Sequence, residues 1–246
     1  MNKSHLENLC VVLVSPRNPL NIGAVARAMS NFGAETLRVV APYEVAFRDA
    51  RSAVGAEELL ARAELFATVG EAVADCVLVA GTASPGRREA LHTVHPLAEA
   101  GELIRRSFAA GRVAVLFGSE KRGLLNEDLA HCHLILNIPT RERQPSMNLG
   151  QAAAVCLYEL AREVGEQKPL EGPASENKAG GGELERLTQV FFEVLQASGY
   201  ALPQQAAVTE QNLRRLVRRL GLGVRDAESL LGMLRQILWK IRRVGP

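Results

Sequence analysis

Long hydrophobic runs are missing from this 246-residue chain, and so are paired cysteines and most aromatic residues. No apolar stretch approaches the roughly 20 residues that a membrane-spanning helix requires, so no membrane partner is expected. Lys3, His5 and Glu7 interrupt the first residues, which argues against a secretory leader. Cys10, Cys76, Cys132 and Cys156 are scattered without a CxxC pair, as expected of reduced thiols in a cytoplasmic protein. Aromatic residues make up only 4%. A surface that stacks many bases on rings is therefore not expected, and charge and shape must carry any RNA recognition.

Charge is present but uneven. The net value of +2 divides into 10 Lys/Arg against 6 Asp/Glu from Glu183 onward, and 19 against 21 before it. Arg214, Arg215, Arg218, Arg219 and Arg225 crowd into one short stretch. A near-neutral body with a basic attachment points to polyanionic partners.

Five short β-branched runs recur, at Cys10–Ser15, Thr36–Ala41, Cys76–Gly81, Arg112–Phe117 and His133–Ile138. Each is nearly continuously apolar, the pattern of strands covered on both faces of a parallel sheet. Helical patterns separate them, at Asn21–Phe32, Ala56–Glu64, Leu97–Ala109 and Met147–Val164, with a further turn at Glu71–Asp75. The expected architecture is an α/β sheet of five or six parallel strands. Gly33 is placed to end the first helix. Residues 165–182 contain two prolines and five glycines and are predicted to be a flexible linker. Helices are predicted beyond it at Glu183–Ser198, Thr209–Gly221 and Asp226–Val244, the last capped by Asp226. The expected domains are thus 1–164, a linker, and a basic helical extension over 183–246 that serves RNA binding or dimer contacts.

Three segments carry the chemistry. The first strand leads into Ser15-Pro-Arg-Asn-Pro-Leu-Asn21-Ile-Gly23-Ala-Val-Ala-Arg27-Ala-Met29, which is neither GxGxxG nor a P-loop. Asn18 or Asn21 could cap the helix here, with Arg27 simply solvated. The fourth strand runs into Phe117-Gly118-Ser-Glu120-Lys-Arg-Gly123-Leu124, at the strand end where open α/β sheets bind ligands; a polar turn before an Asn126-capped helix is the plainer alternative. The fifth exits through Ile138-Pro139-Thr140 and a charged segment, Arg141–Gln144, to Pro145-Ser146-Met147-Asn148-Leu149. There Ser146 suits a helix cap worth about 1 kcal/mol. Gly150 costs that helix about 1 kcal/mol of propensity unless its backbone must approach something closely.

Together, N-x-G-x-x-x-R-A-M, F-G-S-E-x-x-G-L and I-P-T…P-S-M-N-L resemble the three motifs of the SpoU-type RNA 2′-O-methyltransferases of the SPOUT superfamily, over about residues 8–163. The helical tail and overall length are similar to the TrmJ-type tRNA methyltransferases. This resemblance implies a trefoil-knotted domain, an exception to the rule against threaded chains. It also implies S-adenosyl-L-methionine as cofactor, tRNA as substrate and a homodimer with its active site at the subunit interface. By motif, the cofactor would meet Thr82, Ala83, Ser84, Gly118, Ile138, Ser146, Met147 and Asn148. Arg27 would be the catalytic residue, supported by Asn21, Glu120, Ser146 and Asn148. Arg17, Arg27, Arg214, Arg215, Arg218 and Arg219 would face RNA. The expected reaction is ribose 2′-O-methylation of nucleotide 32 of the anticodon loop, on cytidine or uridine. A different tRNA or rRNA site is the alternative within the same chemistry, and a non-catalytic RNA-binding factor the alternative outside it.

The charged Arg141–Gln144 segment departs from the family pattern beside the substrate site. His131-Cys132-His133 looks like a metal trio, but neighbouring side chains on a strand point to opposite faces, so no metal is expected. His92 and His95 read as surface histidines, and Trp239 as part of a packing face.

Overall fold

Side chains that alternate between two apolar cores build the body of the molecule. The computed structural model describes residues 6–43, 51–83, 93–141, 143, 146–162 and 178–244. In chain order these form β1 (Leu9–Val14), α1 (Pro19–Phe32), β2 (Thr36–Val40), α2 (Glu57–Ala61), β3 (Glu64–Phe66), α3 (Val69–Ala72), β4 (Cys76–Thr82) and β5 (Val94–Pro96). Then come α4 (Leu97–Ser107), β6 (Arg112–Phe117), α5 (Asn126–Leu129), β7 (Leu134–Asn137), α6 (Leu149–Ala161), α7 (Gly181–Ala197), α8 (Ala206–Arg219) and α9 (Val224–Val244).

All seven strands are parallel, in the order β3-β2-β1-β6-β4-β7-β5. The count exceeds the expected five or six because β3 and β5, three residues each, are too short to show a period. Glu64, read as helical, instead pairs with Arg38 in the sheet. Along β1, Leu9, Val11 and Leu13 enter the core beneath α1, α2, α4 and α6. Cys10, Val12 and Val14 enter the opposite core beneath α3 and α5. Continuous hydrophobicity was the visible trace of this two-sided burial.

Buried Arg38 on β2 is a polar exception. Its guanidinium donates to Glu64 at 2.8 Å, to Asp75 at 2.6 and 2.9 Å and to the Ala72 carbonyl at 2.8 Å, so β2, β3 and the α3–β4 turn are clamped together. Helix ends follow local chemistry. Asn18 caps α1 by accepting from the Leu20 N–H at 2.9 Å, and Gly33 ends it at φ +76°. Gly150 has the close neighbour its propensity cost requires. A Cβ there would lie 2.8 Å from the Ala24 Cβ, so α6 packs tightly across α1.

Three expected caps differ. Asn148, not Ser146, caps α6, because its side-chain oxygen reaches the Gly150 and Gln151 N–H groups at 3.0 and 3.4 Å. Asn126 is the first residue of α5 rather than its cap, and the Asp128 carboxylate accepts from the Leu125 N–H at 2.7 Å. Asp226 lies inside the first turn of α9, which begins at Val224.

Helices α7, α8 and α9 enclose a core of their own, including Leu184, Leu187, Leu213, Val217 and Leu234. Most of the predicted linker lies outside the described residues. Its last part is not loose, however: Ala179 is buried and donates to the Leu222 carbonyl at 2.9 Å, and α7 already begins at Gly181. Gly181 sits so close to the α3–β4 turn that a Cβ would lie 2.3 Å from the Val73 carbonyl oxygen, which fixes the helical extension against the body.

Candidate active site

β1, β6, β4 and β7 are neighbours in a parallel sheet, so their carboxyl ends share one edge. The three motif segments leave from that edge. Ser15, in the left-handed region at φ +48°, turns the chain after β1 while its N–H donates to the Val40 carbonyl at 2.8 Å. This turn carries the next backbone segment over the loop that follows β6.

The segments meet in a chain through Glu120, Asn21 and Asn148. The Glu120 carboxylate accepts from the Arg17 and Asn18 backbone N–H groups at 2.9 and 3.1 Å and from the Asn21 side-chain amide at 2.8 Å. The Asn21 carbonyl oxygen in turn accepts from the Asn148 side-chain amide at 2.9 Å, while Asn148 caps α6. One hydrogen-bonded chain thus joins residues 99 and 127 positions apart. Partial burial opposes ionisation of Glu120, but the Asn21 amide and the backbone N–H groups of Glu120, Arg17 and Asn18 outweigh it and hold the carboxyl below its ordinary value. Glu120 is therefore an ionised acceptor already engaged by three donors, an arrangement that positions its neighbours rather than one that removes a proton.

The loop carrying Glu120 is tight. A Cβ at Gly118 would fall 2.0 Å from the Gly123 carbonyl carbon and 2.1 Å from the Leu124 nitrogen. Gly123 takes φ +67°, and its N–H closes the loop on the Ser119 carbonyl at 2.8 Å. Only glycine satisfies both positions without strain.

Register places Thr82 opposite Leu136 and one residue past the Gly81–Leu116 pair. Thr82 is thus level with Phe117 and Leu136, and Gly118 and Ile138 follow one and two residues further along at the same strand ends. The Thr82 hydroxyl donates to the Leu116 carbonyl at 2.9 Å, and the Asn137 amide holds the Ala83 carbonyl at 2.9 Å. Asn137, at the exit of β7, was not among the expected site residues; its signal was an amide just before Ile138-Pro139. Ser84 lies outside the described residues.

Not every expected residue joins this cluster. Arg27 is exposed on α1, six residues and about 9 Å of helix rise beyond Asn21, and has no hydrogen bond or ion pair among the described residues. Ser146 is exposed and Met147 half-buried at the approach to α6; Arg141 and Arg143 are exposed, while Glu142 and Gln144 lie outside the described residues.

The tail arginines correct the sequence reading. Arg214 pairs with Glu185 at 2.9 Å and Glu210 at 2.7 Å. Arg215 is 5% exposed and donates to Asn212 and to the Asn126 carbonyl. Arg218 is 2% exposed, 3.5 Å from Glu185 and 3.4 Å from the His131 ring. These three are turned inward, Arg214 onto α7 and α8 and Arg215 and Arg218 onto the body, so of the five crowded arginines Arg219 and Arg225 are the exposed ones. A helical period of 3.6 put them near one another but could not reveal the facing surface that covers them.

The histidines are structural as well. His133 is half-buried and its Nδ1 accepts from the Val79 N–H at 3.0 Å; desolvation of the ring, then Arg218, pushes its pKa down to about 3. Burial, then Arg218, lowers that of His131 to about 4. His95 lies 3.6 Å from Glu99, and His92 is outside the described residues. No group of three or more potential metal ligands occurs among the described residues, and no helix there is long and apolar enough to cross a membrane.

Residues 8–158 match the family model of the SpoU rRNA methylase family. The tRNA (cytidine-2′-O-)-methyltransferase TrmJ of Methanocaldococcus jannaschii is 31% identical over 227 residues, covering 91% of this chain and 96% of the relative. The tRNA (cytidine/uridine-2′-O-)-methyltransferase TrmJ of Yersinia pestis is 30% identical over 237 residues, covering 94% and 92%. The crystal structure of TrmJ from Z. mobilis superposes with a TM-score of 0.81 at 31% identity, over 93% of this chain and 98% of that one. Motif segments that meet through Glu120, Asn21 and Asn148, within a chain alike from end to end, lead to one assignment: this protein is a methyltransferase and belongs to the SpoU rRNA methylase family, in its TrmJ group.

Proposed function

We propose that the protein methylates a ribose 2′-hydroxyl of tRNA, at nucleotide 32 of the anticodon loop, with S-adenosyl-L-methionine as donor. The observation that carries this reading is the Asn148–Asn21–Glu120 hydrogen-bonded chain, which holds the three motif segments at one sheet edge. The names of the TrmJ relatives supply the substrate class.

The residues at the ends of β4, β6 and β7 fit the cofactor. Thr82, Ala83 and Gly118 present short side chains or none, and the Gly118–Leu124 loop is closed tightly on its own main chain, so its backbone is fixed at the strand end. Ile138 and Met147, both half-buried, would add apolar contact, with Ser84, Ser146 and Asn148 completing the set. When bound, S-adenosyl-L-methionine supplies an electrophilic methyl group on a sulfonium. The protein's part is to hold the 2′-hydroxyl in line with it, an alignment that can contribute about 7–11 kcal/mol of the barrier. A guanidinium is a fork of hydrogen-bond donors with no acceptor, so Arg27 steers a phosphate or ribose and stabilises developing negative charge. Asn21, Glu120, Ser146 and Asn148 keep the segments in place.

The same reading includes a homodimer. Leu20, Val155 and Tyr158 on α1 and α6 are exposed apolar residues, and Arg27 lies along the same α1 face as Leu20. A second copy covering that face would place Arg27 at a shared site. A trefoil knot at the end of the body accords with β7 lying between the earlier strands β4 and β5 while α6 returns to α1. Four buried, unpaired cysteines accord with a cytoplasmic setting. The helical extension would contribute to RNA or dimer contacts through exposed Arg219, Arg225, Arg235 and Lys240.

The test is incubation of the purified protein with labelled donor and unmodified total tRNA, followed by mapping of the label. Label on one 2′-oxygen of the anticodon loop is expected. Label on a different ribose would support the alternative site, and no transfer to any RNA would overturn the reading.

A further inference from the structure

Beside the Glu120 junction lies a cleft of about 210 Å³, lined by residues that include Ser15, Arg17, Ser119, Lys121 and Arg122. Arg17, Lys121 and Arg122 are exposed, and none of them forms an ion pair among the described residues. Two acids, Glu127 and Asp128, also line the cleft, and the Asp128 carboxylate accepts from the Leu125 N–H. The cationic side is held in place. Glu120 anchors the Arg17 N–H, the Tyr43 N–H donates to the Pro16 carbonyl at 3.1 Å, and the Arg17 guanidinium lies 4.6 Å from the Tyr43 ring centroid. That ring is still 69% exposed in a chain poor in aromatic residues. Arg122 is fixed at its backbone by the Ser119 hydroxyl at 3.3 Å.

Three cations without an acidic partner among the described residues, around one concavity, are an electrostatic footprint for phosphates, and the exposed Tyr43 beside Arg17 is a platform for a base. We propose that this cleft is an RNA-docking site. Arg17, Lys121 and Arg122 take backbone phosphates of the substrate strand, and Tyr43 stacks an unpaired base near the nucleotide that is methylated. The assignment rests on the RNA methyltransferase reading. It adds Tyr43, Lys121 and Arg122, and it locates recognition on the body, beside the methyl-transfer residues.

The experiment titrates unmodified tRNA against wild type, the double variant Lys121→Ala/Arg122→Ala, Tyr43→Ala and Tyr43→Phe between 50 and 200 mM salt. Single-turnover methyl transfer and donor affinity are measured on the same preparations. A surface double variant, Arg62→Ala/Arg106→Ala, controls for the loss of two charges away from the cleft. The cleft double variant is expected to lower the slope of log affinity against log salt by about 2, and the control to leave it unchanged. Tyr43→Ala is expected to weaken tRNA binding about tenfold, with Tyr43→Phe close to wild type and donor affinity unaltered throughout. If the cleft variants bind tRNA like wild type while wild type methylates it, the docking site is wrong and the proposed function stands. If wild type binds tRNA with a cleft-dependent slope but transfers no methyl group, the docking site stands and the proposed function is wrong.

Discussion

Two regions of this molecule gather arginines, and they use them in opposite ways. At the sheet edge, Arg17 is held by its backbone while its side chain, like those of Lys121 and Arg122, faces solvent. In α8, Arg214, Arg215 and Arg218 are turned inward and bind Glu185, Glu210, the Asn126 carbonyl and the His131 ring. The denser cluster in sequence is thus the less available one in space. Charge density along a chain identifies a ligand surface only where no facing element supplies the counter-charge. Here α7 supplies Glu185, and the body supplies His131.

The exposed side of this comparison is tested first at Arg27, which lies apart from the Glu120 junction. Arg27→Ala is expected to retain donor binding in calorimetry while losing about 10²–10³-fold in single-turnover methyl transfer, comparable to deleting one donor of an oxyanion site. A rate within twofold of wild type would remove Arg27 from the reaction.

The latch side breaks at Glu185. Burial raises the pKa of this carboxyl, but its hydrogen bonds and charge interaction with Arg214, then His131 and Arg218, bring it below its ordinary value. Glu185→Gln leaves Arg218 buried beside His131 without its counter-charge, since Arg218 Nε and Nη1 already lack partners. A loss of about 3–5 kcal/mol in denaturant unfolding is expected. In the same titrations, Arg214→Ala should leave the salt dependence of tRNA binding unaltered, in contrast to the cleft cations. A change of slope there would return α8 to the RNA surface.

Acid sharpens the same contrast. The folded pKa of His131 is lowered to about 4 from 6.5, so the stability it contributes is fully present above pH 6.5. That stability is lost as pH falls toward 4, when protonation would set a second cation against Arg218. Stability measured across this window should fall less steeply in His131→Asn than in wild type. Parallel curves would show that other groups govern the acid limb.

The smallest expected effect is at the helix crossing. Gly150→Ala gains about 1 kcal/mol of helix propensity but forces its new Cβ to within 2.8 Å of the Ala24 Cβ. Overpacking costs about 1–3 kcal/mol, so a net loss of about 1 kcal/mol is expected in thermal unfolding.

Much of this was legible in the sequence because it rests on local signals. The five longer strands showed as apolar runs, since each is covered on both faces. Gly33 announced a helix end, and Gly150 a close approach. The motif segments stood out by residue type and order, and Asn21, Glu120 and Asn148 do meet. What stayed hidden depends on contacts between distant residues. β3 and β5 are strands only because β2 and β7 pair with them. The capping role passed from Ser146 to Asn148 because Asn148 also reaches Asn21. Arg218 could not be known to be buried until Glu185 and His131 were placed opposite it. Tyr43 was a lone aromatic until the turn at Ser15 set Arg17 over its ring.

The central claim is that the Glu120–Asn21–Asn148 chain ties three separate segments together at one sheet edge. Its most direct measurement is single-turnover methyl transfer to tRNA by Glu120→Ala beside wild type, with folding checked by circular dichroism. Loss of the three hydrogen bonds should misplace the Arg17–Asn21 segment and slow transfer about 10²-fold, the scale expected of a displacement of about 1 Å. A folded variant that transfers as fast as wild type would contradict the claim.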